Sequence, residues 1–243
     1  MGLLLAELRR FGVRPAIRWI AAAMLLYVAL VVALTAFDAD PSTLTERLAQ
    51  GELSLYAMTS VVLAMVAGVL LVTGDAASGG TRAVLTVEPR RGRVYWSKVA
   101  AAGLAVLPGV AVAYALLAAG LYGVHARVDL LGGAQPDLVS ALAWSGVRVL
   151  ALAVCTAVGG AALGVLVRRW WVAVALVVAW FVAELIVLST TSVAPDWSLA
   201  TSADAWVRGT GAVPLVQSAL LLLGVTVVLA GLGAVVFRRR DVR

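Results

Sequence analysis

The chain has 243 residues, 63% of them hydrophobic, and its mean hydropathy is +1.01. This composition excludes a single soluble domain, and the apolar residues occur in runs of about 20 or more, long enough to cross a bilayer as helices. The formal charge of +6 comes mostly from arginines beside those runs, which indicates membrane orientation rather than nucleic-acid binding. The single cysteine, Cys155, excludes an internal disulfide and a cysteine cluster for a metal.

The first 18 residues have the pattern of an amphipathic helix. Leu4, Leu8 and Phe11 fall on one side at spacings of three and four. The opposite side carries the charged residues Glu7, Arg10, Arg14 and Arg18. We predict an N-terminal helix that lies at the cytoplasmic interface. A cleaved signal peptide is the alternative, but the apolar run that follows is longer than a usual signal core and no small-x-small cleavage site comes after it.

Six apolar runs predict an all-α, polytopic membrane protein of one domain with six transmembrane helices. The runs cover residues 19–37, 55–73, 99–124, 138–167, 170–190 and 212–237. Pro108 lies inside the third run and predicts a kink. With both termini cytoplasmic, fifteen of the 19 basic residues lie on the inner side and three on the outer side, so the positive-inside rule favours that orientation.

Three outer loops are predicted between these runs, at residues 38–54, 125–137 and 191–211. In the first, Thr43 and Glu46 have the spacing of a capping box, which predicts a short outer helix. In the third, Trp197 and Trp206 are predicted to lie at the level of the lipid headgroups.

The longest inner polar interval, residues 74–98, separates the second and third runs. Its basic residues are Arg82, Arg90, Arg91, Arg93 and Lys98. Residues 81–87 have helical potential, and Pro89 ends any helix there. We predict a cytoplasmic loop with a short helix along the membrane that presents Val84, Leu85 and Val87 to a partner protein.

No enzyme active site is predicted. A P-loop needs a lysine after a glycine-rich turn, but the sole lysine, Lys98, follows Tyr95, Trp96 and Ser97. The sole histidine, His125, is predicted to be an exposed residue of an outer loop, and no nucleophile and base can be named beside it. Metal-ligand spacing is absent as well, so we expect no cofactor bound to this chain.

Two charged residues lie within predicted spans. Arg148 and Glu184 would each lie roughly 10–15 Å below the outer face, at a rise of about 1.5 Å per residue. They could form part of a substrate path or gate, or an ion pair that joins the fourth and fifth spans, or Arg148 could extend to the outer interface. Gly160 and Gly164 form a GxxxG pattern, which predicts close helix packing.

The inner interval also carries a family resemblance. The residues that carry it are Asp75, Gly80, Thr81, Leu85, Pro89, Arg91 and Lys98. They resemble the loop between spans 2 and 3 of ABC-2 type transporter permeases, and the segment 237–241 resembles the C-terminal tail of that family. Asp75 stands where the family usually has Glu, and Glu88 and the arginine cluster at 90–93 are departures from its pattern.

The resemblance implies half of an exporter in a bacterial cytoplasmic membrane. Two six-span subunits, the same or homologous, would pair with two separate ATPase subunits, which bind the ATP and magnesium. It also implies that the inner loop contacts the ATPase. The candidate coupling residues are Asp75, Gly80, Thr81, Val84, Leu85, Glu88, Pro89 and Arg91.

The apolar path favours a small amphipathic compound, a peptide or a lipid as the substrate. Lipid surrounds the spans, and no nucleic-acid partner is expected. The alternatives are a secondary transporter or channel-like pore, and a membrane anchor or regulatory subunit that transports nothing. A proton-coupled carrier should show several intramembrane carboxylates, whereas this sequence has only Glu184.

Overall fold

The computed structural model of the chain describes residues 2–12, 14–37, 42–50, 52–132, 134–190, 198–209 and 213–239. Those residues form helices joined by short connections, with no strand among them, which confirms the all-α class. The helices are α1 (Leu3–Gly12), α2 (Pro15–Phe37), α3 (Leu44–Gln50), α4 (Glu52–Ala77), α5 (Gly80–Val87), α6 (Arg91–Arg127), α7 (Gln135–Val167), α8 (Trp170–Thr190), α9 (Leu199–Arg208) and α10 (Leu215–Arg239).

Five of these helices are long and apolar enough to cross a membrane. The stretches are Ile17–Phe37 in α2, Met58–Ala77 in α4, Arg91–Arg127 in α6, Pro136–Val167 in α7 and Leu215–Arg239 in α10. The apolar stretch of α8, Trp170–Glu184, is shorter. By length and composition, the protein is therefore a helical protein with several membrane-spanning segments.

The polar interval 74–98 is more helical than its composition predicts. Both neighbouring spans continue into it, since α4 extends to Ala77 and α6 begins at Arg91 and runs unbroken through Pro108. Between them, α5 starts after Gly79, whose φ of 72° lies in the left-handed region, and ends before Pro89. The predicted short helix is confirmed, and only 78–79 and 88–90 are left outside helices in this interval.

The N-terminal segment is divided into two helices rather than one. The predicted helix over residues 1–18 ends at Gly12 as α1, and Pro15 begins α2, where a missing N–H costs nothing. Phe11 is fully buried, and Leu4 and Leu8 pack beside it against α4, α6 and α10. The apolar side of α1 therefore contacts the protein itself.

The backbones of α4 and α7 approach each other closely at three glycines. A side chain at Gly68 would collide with the backbone carbonyl of Ala157, and one at Gly160 with that of Met65. At Gly164 an added Cβ would lie 3.2 Å from Thr73. The predicted close packing at Gly160 and Gly164 is confirmed, and Gly68 extends it onto α4.

The end of the bundle that carries Arg14, Asp75, Lys98 and Arg238 is called the basic end below. Both α1 and the end of α10 lie there, because Arg10 and Arg14 contact Asp75, while Arg91 donates to the carbonyl of Arg238 at 3.3 Å. The hydroxyl of Tyr95 also donates to the carbonyl of Ala230 at 2.7 Å, which fixes α10 against α6.

The opposite end, called the far end below, carries α3 and the α6–α7 connection. The predicted capping box is confirmed, since the Thr43 amide donates to Glu46 at 2.8 Å and the Glu46 amide donates to Thr43 Oγ1 at 3.3 Å. The Leu44 amide then donates to the carbonyl of Leu130 at 2.8 Å.

The prediction that His125 is exposed is wrong. Because α6 extends to Arg127, the ring is buried in its last turn, where Nδ1 lies 2.8 Å from the carbonyl of Leu121.

Candidate functional site

A buried carboxylate, Asp75, is the centre of an ionic cluster at the basic end. Asp75 lies near the end of α4 and its side chain has no exposed surface. Oδ1 is 2.7 Å from a guanidinium nitrogen of Arg10 and 2.7 Å from one of Arg14. Oδ2 accepts a hydrogen bond from the hydroxyl of Thr81 at 3.2 Å and another from Lys98. The lone pairs of both oxygens are thus occupied, which a buried carboxylate requires.

Lys98 joins this carboxylate to a second one, Glu7 of α1. The ammonium donates to Glu7 Oε1 at 3.0 Å as well as to Asp75. Both Lys98 and Glu7 are almost completely buried, and the other Glu7 oxygen, Oε2, has no hydrogen-bond partner. Lys98 is the only lysine of a chain that otherwise uses arginine. A compact ammonium with three rotatable donors can bind two carboxylates at once.

The charges of the cluster nearly balance. Two carboxylates face three cations, and the two arginines are the more exposed members, with 34% of the side chain accessible for Arg10 and 18% for Arg14. Arg14 also donates to the carbonyl of Leu71 at 2.9 Å, so its guanidinium binds the last turns of α4 at two points. A cluster of this kind is costly to desolvate but rigid once it is complete.

The cluster connects the N-terminal segment with three consecutive helices that lie much further along the chain. Its members come from α1, from the α1–α2 link, from α4, from α5 and from α6. The approach of Arg10 to Asp75 requires a glycine at position 80, because a side chain there would collide with the guanidinium of Arg10. The first turn of α5 therefore cannot shift without disturbing Asp75, and through it α1.

The residues that the sequence assigned to partner contact divide into two groups. Asp75, Gly80 and Thr81 are buried and belong to the cluster, so they do not form an exposed surface. Val84 and Leu85 are half-buried, and Val87 is 85% exposed.

The remaining residues of the predicted coupling set extend the exposed part of the interval. Pro89 is exposed, and the Glu88 carboxylate lies 3.3 Å from Arg93 in an ion pair. Arg91 is tied to the end of α10 through the carbonyl of Arg238.

Arg148 and Glu184, the two charges that the sequence predicts within spans, bind different partners in the described structure. The Glu184 carboxylate accepts hydrogen bonds from the Ser198 hydroxyl and from the Leu199 amide at 3.2 Å. Arg148 lies instead beside Gly209 at the other end of α9, and its backbone carbonyl accepts the indole N–H of Trp206 at 2.9 Å. Trp206 is half-buried and packs against the apolar core that α9 joins. Trp197 lies outside the described residues.

Sequence reasoning missed the central link of the cluster, Glu7 to Lys98. The sequence predicts that Glu7, Arg10 and Arg14 form the charged side of a helix at the membrane interface. In the structure they bind the buried residues Asp75 and Lys98. The spacing of three and four that defined this side was the available signal, together with a single lysine in an arginine-rich chain. The partners could not be named without the fold, because Asp75 and Lys98 are 61 and 84 residues away from Arg14.

No protein-family model matches the chain, and no curated protein matches it. Within the described residues, no group of three or more histidine, cysteine or acidic side chains converges on a common point. By its contacts, the cluster is an electrostatic junction between helices.

Proposed function

We propose that this chain is the membrane-spanning subunit of an ATP-driven exporter of the ABC-2 type, working with two separate ATPase subunits and a second permease subunit. The observation that carries the proposal is the geometry of α5. It is a short helix whose first turn is bound to a buried ionic junction and whose last turn exposes an apolar residue, Val87, at the basic end. The resemblance of residues 75–98 to the inner loop of that family supports the same interpretation.

We further propose that α8 is the sixth crossing. Five spans alone would leave the start of α2 and the end of α10 on opposite sides of the membrane. The contacts of Arg14 with Asp75 and of Arg91 with Arg238 both lie at the basic end, which supports an even number of crossings. With 21 residues, α8 is long enough to supply it. The positive-inside rule then makes the basic end cytoplasmic.

In this proposal the junction transmits motion from the ATPase. ATP would draw the two ATPase subunits together, and α5, seated on one of them, would move with it. Thr81 of α5 and Arg10 of α1 both bind Asp75. Glu7 of α1 binds Lys98, which also binds Asp75. Because these contacts form one buried network, α5 and α1 would move as a unit. The ends of α4 and α6 would follow through Asp75 and Lys98. An apolar, lipid-exposed bundle suits a small amphipathic compound, a peptide or a lipid.

The coupling role of α5 can be tested with a charge at its exposed end. We expect Val87→Asp to abolish co-purification of the soluble P-loop ATPase with which this chain is proposed to work, because the charge replaces the most exposed apolar side chain of the helix. Membrane yield should stay at the parental level, since Val87 contributes almost nothing to the core. Leu85→Asp should act in the same direction with a lower yield, because Leu85 is half-buried.

The matched control is Val128→Asp, which places the same charge on an exposed valine at the far end. This variant should retain the ATPase and the transport activity. Parental levels of ATPase and of transport in Val87→Asp would contradict the coupling role. Substantial ATP hydrolysis by the purified chain alone would contradict the proposed division of labour between the two subunits.

A further inference from the structure

The short helix α9 is inserted among the long helices rather than lying on the surface. Its buried residues are Ser202, Ala203, Ala205 and Val207. Ala203 and Val207 belong to the same apolar core as residues of α2, α4, α6 and α7. Only ten residues long, α9 would not be stable as an isolated helix in water, so its position depends on what holds it there.

The N-terminal end of α9 is held by Glu184 of α8. The Ser198 side chain caps the helix by accepting the Thr201 amide at 3.2 Å. Its own hydroxyl proton is therefore free to be donated to Glu184, which also accepts the Leu199 amide at 3.2 Å. One carboxylate thus binds the first amide of the helix and the residue that caps it.

The C-terminal end is held by Arg148 of α7. Gly209 ends the helix with a φ of 75°, and its amide donates to the carbonyl of Ala205 at 3.0 Å. The guanidinium of Arg148 lies so close to Gly209 that any side chain at that position would collide with it. Trp206 binds the backbone of the same arginine, so both the charge and the carbonyl of Arg148 contact the last turn of α9.

The signs of these charges match the helix dipole at both ends. The N-terminus of a helix carries partial positive charge and favours an anion, whereas the C-terminus carries partial negative charge and favours a cation. We propose that Glu184 and Arg148 form a two-ended electrostatic clamp that holds α9 inside the bundle. This inference does not require an ATPase partner and stands or falls separately from the proposed function.

The clamp can be tested by the accessibility of a buried position on α9. Ser202 is fully buried and its hydroxyl has no hydrogen-bond partner, so Ser202→Cys is a nearly isosteric reporter. In a Cys155→Ala background, in lipid nanodiscs, a polar maleimide should modify this reporter slowly. Glu184→Gln and Arg148→Gln should each raise the rate about tenfold, because each removes a charge from one end of the helix dipole.

Controls separate release of α9 from general unfolding. A second reporter, Thr73→Cys, is buried at the basic end and should stay protected in both variants. Arg127→Gln removes an exposed basic residue in the last turn of α6 at the far end, and it should leave the Ser202→Cys rate unchanged. If Glu184→Gln fails to fold, Ser198→Ala tests the same end of α9, because it removes the hydroxyl that donates a hydrogen bond to Glu184.

A rate that is unchanged in both charge variants would overturn the clamp. An increase in only one of them would also overturn it, because a single charge would then hold the helix. Loss of protection at both reporters would assign the two charges to global stability rather than to α9, and this outcome too would contradict the proposal.

Discussion

At the scale of single residues, Lys98 shows how far a side chain's role depends on its surroundings. In the sequence it closes a polar, arginine-rich interval and resembles a residue at the membrane surface. In the fold it is buried between two carboxylates, Glu7 and Asp75. The side-chain type could be read in advance, but the burial could not, because it depends on α1 folding back over the start of α6.

Removing the lysine should therefore destabilise the protein more than removing the charge of Glu7. We expect Lys98→Met to lower the free energy of unfolding by about 3–5 kcal/mol, because it leaves two buried carboxylates without their shared cation. Glu7→Gln should cost about 1 kcal/mol, since Asp75 keeps all its partners and one Glu7 oxygen already lacks a hydrogen bond. Thermal unfolding of the purified variants measures both.

The double variant Lys98→Met with Glu7→Gln gives the decisive comparison. Because it removes one of the two stranded charges, it should be more stable than Lys98→Met alone. Equal losses of unfolding free energy in the two single variants would mean that Lys98, Glu7 and Asp75 do not act as one network. The same conclusion would follow if the loss in the double variant equalled the sum of the two single losses.

At the scale of elements, the apolar periodicity and the turn residues predict most of what the structure shows. The capping box of α3, the end of α5 before Pro89 and the existence of each long helix follow from local sequence. Helix ends are less predictable: α4 and α6 continue into the polar interval because their terminal charged residues find partners there. The entry of α9 into the bundle could not be predicted either, since its partners are Glu184 and Arg148 on other helices.

The contact between α4 and α7 provides a prediction with an adjacent control. Gly160→Ala should destabilise the protein by about 1–3 kcal/mol, because the new methyl group meets the backbone of α4 at Met65, which cannot move aside as a side chain can. Gly159→Ala should be neutral or slightly stabilising. Its Cβ would lie 3.6 Å from Leu229, an ordinary contact, and alanine favours a helix over glycine by about 1 kcal/mol.

The melting temperatures of the two alanine variants in the same detergent provide the test. The prediction depends on their order rather than on either value. A Gly160→Ala protein as stable as Gly159→Ala would mean that α4 and α7 can separate at this point without loss, and that the GxxxG pattern has no structural role there.

At the scale of the whole molecule, the charges are distributed so that one end of the bundle is rich in arginine. The count of basic residues predicted this asymmetry from the sequence, because orientation depends on composition beside each apolar run and not on tertiary contacts. What the sequence could not reveal is that the basic end is also where α1, α5 and the end of α10 meet. The same residues thus carry an orientation signal and a buried network.

The orientation itself can be measured with paired single cysteines in a Cys155→Ala background. Thr45 is exposed on α3 at the far end, and Val87 is exposed on α5 at the basic end. On intact cells, a membrane-impermeant maleimide should label Thr45→Cys but not Val87→Cys, because the proposed six crossings and the positive-inside rule would put α5 in the cytoplasm. After permeabilisation of cells that express this chain without the proposed ATPase, both cysteines should react, which shows that each is accessible. Labelling of Val87→Cys alone on intact cells would mean that the topology is the reverse of the proposed one. Labelling of both cysteines would mean that α3 and α5 lie on the same side, so that α4 does not cross the membrane.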